Sequence, residues 1–168
     1  SEGMLVRRLS TKYGEDRAAE IFMAHRRHFI GNDDLDAVKE LGLQTIRVPM
    51  TWAAFPDALI DIDPATYGPD ALNPDTDAKV VPDPFYKDTH AMVTIPRNWL
   101  RDFLGKCARK GLKVNLDLHA YPGGSSEGTF NGVWPEKPAM WRESPTFGNR
   151  AIRLRDVGVK VAQKLIHW

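Results

Sequence analysis

Asn115, Asp117 and His119 stand at alternate positions in the stretch from Lys113 to Gly124, with Val114, Leu116 and Leu118 between them. A period of two is that of a β-strand with one apolar and one polar face. A solvated surface strand would carry Lys, Thr or Glu at the polar positions. Asn, Asp and His in line, followed by the turn Tyr121-Pro122-Gly123-Gly124, point instead to a strand that delivers polar groups to a pocket at its carboxyl end. A second segment, from Leu43 to Pro49, has the same two faces, Ile46 and Val48 on one and Thr45 and Arg47 on the other. Pro49 should end its ladder, because proline has no N–H to donate. A guanidinium beside Asp117 would favour the ionised acid, so Arg47 and His119 are expected on one side of the sheet, next to Asp117.

The elements that position these groups are also legible. Each strand follows a helix-like segment closed by glycine, Gly42 and Gly111, which easily takes the left-handed conformation after a helix. Helix, glycine, strand, loop, repeated, is the pattern of parallel β/α units. Ser1 to Gly14 carries little pattern and reads as a lead-in. From Glu15, the spacing Ala18, Phe22, His25, Phe29 predicts a helix with one buried stripe. His25 and His28 at i,i+3 could share a metal, but Arg26 and Arg27 would repel a cation; a histidine at the core edge and a solvated one is the better reading. Asn32 is a candidate N-cap, with Asp33 and Asp34 in the first turn and Leu35, Val38 and Leu41 at helical spacing. Pro96 opens a helix with the stripe Trp99, Leu100, Phe103, Leu104, Cys107 and Ala108, and a last helix from Arg150 to Trp168 aligns Leu154, Val157, Val161, Leu165 and Trp168.

Two long loops follow the strand ends. Residues 57–94 hold eight Asp against two Lys and five prolines. They read as an acidic excursion, functional or mobile, with a hairpin between Lys79-Val80-Val81 and the run from Ala91 to Ile95. The Asp spacing matches no EF-hand loop, so calcium is not expected there. Residues 121–147 mix glycine, proline and aromatics, the composition of a platform for flat ligands. Trp52, Tyr121, Phe130, Trp134 and Trp141 are the candidate stacking groups, with packing inside the loops as the alternative role.

Composition bounds the remainder. With 168 residues, 42% apolar and 27% charged, the chain has the make-up of one soluble domain. Its net charge of +1 gives no reason to expect nucleic acid, and no run approaches the roughly 20 apolar residues of a membrane span. No signal-peptide pattern is visible at the N-terminus. Cys107 has no partner for a disulfide and reads as a small buried hydrophobe. Asp117 and His119 could chelate one ion, but two ligands are too few for a catalytic zinc, and neither metal nor cofactor is expected.

Arg47-Val48-Pro49 with Trp52, the amphipathic helix, the run Asp117-Leu118-His119-Ala120-Tyr121-Pro122-Gly123-Gly124, and Asn131-Gly132-Val133-Trp134-Pro135, in this order, resemble glycoside hydrolase family 5, the cellulase and exo-glucanase family. The resemblance runs from about Glu15 over nearly all of the chain. It implies a partial (β/α)8 barrel, residues 1–168 forming one partial domain with two parallel strands, covering helices and long strand-to-helix loops. It also implies a retaining glycosidase acting on a β-glucan or related polysaccharide, secreted or at the cell surface. Arg47 would hold the nucleophilic carboxylate ionised, and His119 would contact sugar before the scissile bond. Neither is the acid or the nucleophile. In the family the acid/base Glu follows an Asn, and no Asn-Glu dipeptide occurs here. The two catalytic Glu are therefore expected outside this chain, in the remainder of the barrel. Asp117, Glu127 and Glu136 are unconvincing substitutes for two carboxylates about 5–5.5 Å apart. The alternative is a catalytically silent carbohydrate-binding fragment.

Overall fold

The computed structural model describes residues 1–141, 146–147 and 152–168. Three helices come first, α1 (Glu2–Tyr13), α2 (Glu15–Phe29) and α3 (Asn32–Glu40), and lead into strand β1 (Thr45–Thr51). The excursion then forms two 3-10 turns, Trp52–Ala54 and Pro56–Leu59, a one-turn helix α4 (Pro64–Tyr67) and the hairpin β2 (Val80–Pro82) and β3 (Ala91–Val93). Helix α5 (Arg97–Arg109) returns the chain to β4 (Lys113–Ala120), and a short antiparallel pair, β5 (Thr146–Phe147) and β6 (Ile152–Arg153), precedes α6 (Leu154–His167). The predicted start of the last helix at Arg150 lies outside the described residues. The architecture is mixed α/β, with β1 and β4 forming a parallel two-stranded sheet.

The register pairs Ile46 with Val114, Arg47 with Asn115, Val48 with Leu116 and Met50 with Leu118, and shifts by one residue between Met50 and Thr51. Alternation sends the apolar members to one side. Ile46 and Val114 pack with Leu35, Val38, Cys107 and Leu112, while Val48, Leu116 and Leu118 join a larger core around Met50, Trp52, Phe55, Leu100, Val157 and Val161. Fully burying a large aliphatic contributes about 1.5–3 kcal/mol; these strand residues are half-buried and contribute less each, but together they supply most of what holds the two strands. Cys107 is inside, and burial pushes its thiol up.

Four expectations change. Pro49 does not end the first ladder: it lies opposite Asp117, and β1 runs on to Thr51. The lead-in is a helix, whose Gly3, Val6 and Ser10 are buried at i, i+3 and i+7. Small residues on that face leave no large apolar spacing in the sequence. Helix α2 is rotated relative to its predicted stripe: Ala18, Ala19 and Met23 are buried, whereas His25 and Phe29 are exposed. The cause is Arg26, whose guanidinium donates to the carbonyls of Val93 and Thr94 at 3.0 Å and lies 3.3 Å from Glu2 Oε1. That satisfied cation turns the face toward the hairpin. His28 meets its own helix at Ala24 O, the rings of His25 and Phe29 lie tilted at 5.2 Å, and both histidines are exposed, so neither is at the core edge. In α3 the N-cap is Gly31, whose N–H donates to Asp34 at 2.7 Å, and Asn32 is the first helical residue.

The acidic excursion is ordered. Asp57 pairs with Arg97 and, at 2.7 Å, with Lys164, and Asp61 pairs with Lys160. Asp77 lies 3.5 Å from Lys79 and Asp75 lies 3.4 Å from Arg101. Cations on α5 and α6 thus balance the run of aspartates, and Ala58, Leu59, Tyr67, Leu72 and Val81 are buried beneath it. Truncating Leu59, which is fully buried, to alanine should cost about 2–5 kcal/mol, the range for core leucines. Leu41→Ala, at an exposed position, should stay within about 0.5 kcal/mol. Urea unfolding of the two variants checks the difference.

Candidate functional site

The polar face of the parallel pair is uncovered. Arg47 donates to Asp117 Oδ2 from Nε at 2.9 Å and from Nη2 at 2.6 Å, and His119 Nδ1 lies 3.1 Å from the same oxygen. Arg47 Nη2 is also 3.3 Å from His119 Nδ1. The three side chains are brought together from two strands because residues 47, 117 and 119 all face away from the core. Burial works against ionisation of Asp117, but the hydrogen bonds from Arg47 and His119 and their charges prevail and hold its carboxyl below the usual carboxylate range. One oxygen that takes two guanidinium N–H donors, with the His119 ring 3.1 Å away, is a poor nucleophile and a poor base. Asp117 is therefore an anchor that orients Arg47 and His119. When the Nδ1 proton of His119 is donated to that anchor, Nε2 remains for a ligand hydroxyl.

Beyond the strand ends is a cleft of about 260 Å³ whose walls include Glu2, Met50, Met92, His119, Phe130 and Gly132. The rings of His119 and Phe130 meet edge to face at 6.3 Å. The turn after β4 needs both of its glycines. Gly123 and Gly124 have φ of +69° and +73°, and a Cβ would come within 2.5 Å of Leu154 at the first and 2.4 Å of Val133 at the second. Their carbonyls accept from Ala139 N at 2.8 Å and Met140 N at 3.2 Å, which folds the loop back on the turn. Buried Asn131 accepts from the N–H groups of Val133 and Trp134, at 2.8 and 3.0 Å.

The candidate stacking residues divide. Phe130 is 77% exposed, Trp141 69% and Trp134 46%. Trp141 is steered by a 2.7 Å hydrogen bond from Nε1 to Ser125 O. Tyr121 is half-buried beside Gly158 of α6. Trp52 is fully buried, edge to face on Tyr67 at 6.3 Å. Its ring is core and offers no face to a ligand, a correction to its expected stacking role. The apolar cluster under the excursion claims it, and no feature of the loop sequence distinguishes those two uses. Glu127 and Glu136 are exposed in the loop.

Sequence reasoning passed over Glu2, which reaches the cleft only because α1 is a helix. It also passed over Asp83 and His90, both buried against the aromatic loop. An Asp between two prolines, Pro82 and Pro84, was the available signal, since such a residue turns the chain with its side chain. Among the described residues no group of three or more His, Cys, Asp or Glu is placed to hold a metal ion. At the Asp117 and His119 pair the Arg47 cation fills the place an ion would take. No helix among the described residues is long and apolar enough to cross a membrane.

Arg47→Lys should lower stability by about 0.5–1 kcal/mol despite conserving charge, because a lysine cannot set two donors on Asp117. The contribution of Asp117 is present above its unfolded value, near pH 3.9, and is lost as the pH falls through its lower folded value. Unfolding curves of wild type and Arg47→Lys should therefore differ at pH 7 and converge toward pH 2.

A protein named "Probable glucan 1,3-beta-glucosidase" from Arthroderma benhamiae is 28% identical over 131 residues, 77% of this chain and 24% of that protein. Proteins named "Probable glucan 1,3-beta-glucosidase A" from two strains of Aspergillus fumigatus are 23% identical over 138 residues, 82% of this chain and 26% of theirs. The chain spans about a quarter of the length of these curated relatives. No protein-family model and no solved structure matches it. The matches support a relationship to glycoside hydrolases.

Proposed function

We propose that this chain is part of a retaining glycoside hydrolase of the family 5 type, a section of a (β/α)8 barrel that binds a β-glucan at the carboxyl ends of its strands. The observation that carries the reading is the joining of Arg47, Asp117 and His119 across two parallel strands, beside a cleft lined by Phe130. Arg47 supplies a fixed positive charge for a carboxylate above the sheet, and Asp117 keeps it in place. His119 offers Nε2 to a sugar hydroxyl, and Phe130, Trp134 and Trp141 present faces to sugar rings, with Tyr121 at the edge of the same loop.

Sheet edges support the barrel reading. β1 and β4 pair with each other and with no other strand among the described residues. Beside β1, Phe29, Ile30, Val48, Pro49, Trp99 and Phe103 line an apolar groove. Further strands and helices of a longer protein would pair that edge and cover that groove. The same completion would bring the two catalytic carboxylates over Arg47. The partners are then the polysaccharide and the remainder of the barrel.

The exposed rings favour a second reading, a carbohydrate-binding fragment without activity of its own. Both readings expect the isolated chain to be silent toward laminarin, carboxymethyl-cellulose and aryl β-glucosides. Turnover abolished by Glu127→Gln would overturn the placement of the catalytic acids elsewhere. Calorimetric titration with glucan oligosaccharides should show binding at millimolar affinity or better. Trp134→Ala should weaken it about three- to tenfold, the loss of one stacking face. No binding by the wild-type chain would remove the carbohydrate-binding reading and leave the glycosidase reading to the completed barrel.

A further inference from the structure

The aromatic loop is held from the side by the turn that joins β2 to β3. Asp83, fully buried, accepts from the N–H groups of Phe85 and Tyr86 through Oδ1, both at 2.9 Å, and from Gly123 N through Oδ2 at 2.8 Å. The first two bonds close the local turn, and the third crosses to the glycine pair after β4. Two more contacts make the same crossing. Tyr86 donates its hydroxyl to Lys137 O at 2.5 Å, and buried His90 places Nε2 3.2 Å from Trp134 O. Thr89 Oγ1, 2.9 Å from His90 Nδ1, fixes the other side of that ring. The three bonds meet the loop at its beginning, at Trp134 and shortly before Trp141.

Burial pushes the Asp83 carboxyl up, and the N–H groups of Tyr86, Gly123 and Phe85, with His90 nearby, act against it in favour of the ionised form. The local turn alone needs one acceptor oxygen, which an asparagine would supply. The second oxygen is required only because Gly123, in its left-handed conformation, turns its N–H inward. Its carbonyl, and that of Gly124, then receive Ala139 and Met140, the residues that lead to Trp141.

We infer that Asp83, seconded by Tyr86 and His90, is a positioning residue for glucan binding: through Gly123 it sets where the rings of Trp134 and Trp141 stand, and it makes the acidic excursion part of the sugar platform. This rests on the glucan-binding reading above. Asp83→Asn keeps an oxygen for Phe85 and Tyr86 but turns an amide NH₂ toward the N–H of Gly123. His90→Leu removes the bond to Trp134 O, and His90→Gln can restore it.

Calorimetric titration with laminari-oligosaccharides and hydrogen exchange over residues 121–141 test the inference, with exchange of β1 and β4 as the internal reference. Asp83→Asn should bind about tenfold more weakly, the loss expected when a buried donor faces no acceptor. Exchange at Gly123, Ala139 and Met140 should quicken while the strands keep wild-type rates. His90→Leu should act in the same direction and His90→Gln should recover wild-type binding. Unchanged binding by Asp83→Asn, or exchange that quickens equally in the strands, overturns the inference. If Asp83→Asn does not fold, Tyr86→Phe, which deletes one hydroxyl at the rim, carries the comparison, and wild-type binding by that variant overturns it. If the wild-type chain binds no glucan, the binding reading fails by itself, and unchanged exchange in Asp83→Asn then overturns the positioning role.

Discussion

Burial of one side of the β1–β4 pair is the constraint on which the other features depend. Ile46, Val48, Val114, Leu116 and Leu118 are drawn against α3, α5 and α6, and the pleat leaves Arg47, Asn115, Asp117 and His119 no side but the opposite one. The polar cluster is thus a consequence of apolar packing before it is an ion pair. Aliphatic burial contributes several kcal/mol in total, whereas a largely exposed guanidinium on a carboxylate adds about 1 kcal/mol or less. The pair decides orientation rather than stability. With the Arg47 guanidinium and the His119 ring converging on Asp117 Oδ2, the carboxyl is held below the usual carboxylate range and His119 is fixed at the wall of the cleft.

Charge balance has the same logic at larger scale. The excursion would be a poor partner for any surface with its own acidity. Buried Tyr67, Leu72 and Val81 anchor it, and Arg97, Lys160 and Lys164 on the adjoining helices pair its aspartates and set how it lies. Once folded, it presents the Asp83 carboxyl to Gly123 after β4. A segment that looks dispensable in sequence therefore becomes a wall of the cleft's neighbourhood, and the aromatic loop leans on it.

The two faces of β1 and β4, their helices α5 and α6, the hairpin and the shared side of Arg47 and His119 were all legible in residue order, because period and proline or glycine punctuation are local properties of the chain. Helix α1 was not, since its buried face is Gly3, Val6 and Ser10, and small residues leave no apolar signature. The rotation of α2 was not either. It depends on carbonyls of Val93 and Thr94 that only the fold brings to Arg26.

Sequence by itself determined which residues could share a strand face and which loops carry aromatics, for those follow from alternation and composition. Only the tertiary structure decided which aromatics are available. Trp52 and Trp134 both follow strand ends, yet one is sealed under Tyr67 and the other stands half in solvent. It also decided that Asp83 belongs to the site, because its second oxygen finds Gly123 across 40 residues of chain. Burial and long-range hydrogen bonds are properties of packing between elements, and no local pattern encodes which donor a buried carboxylate will meet.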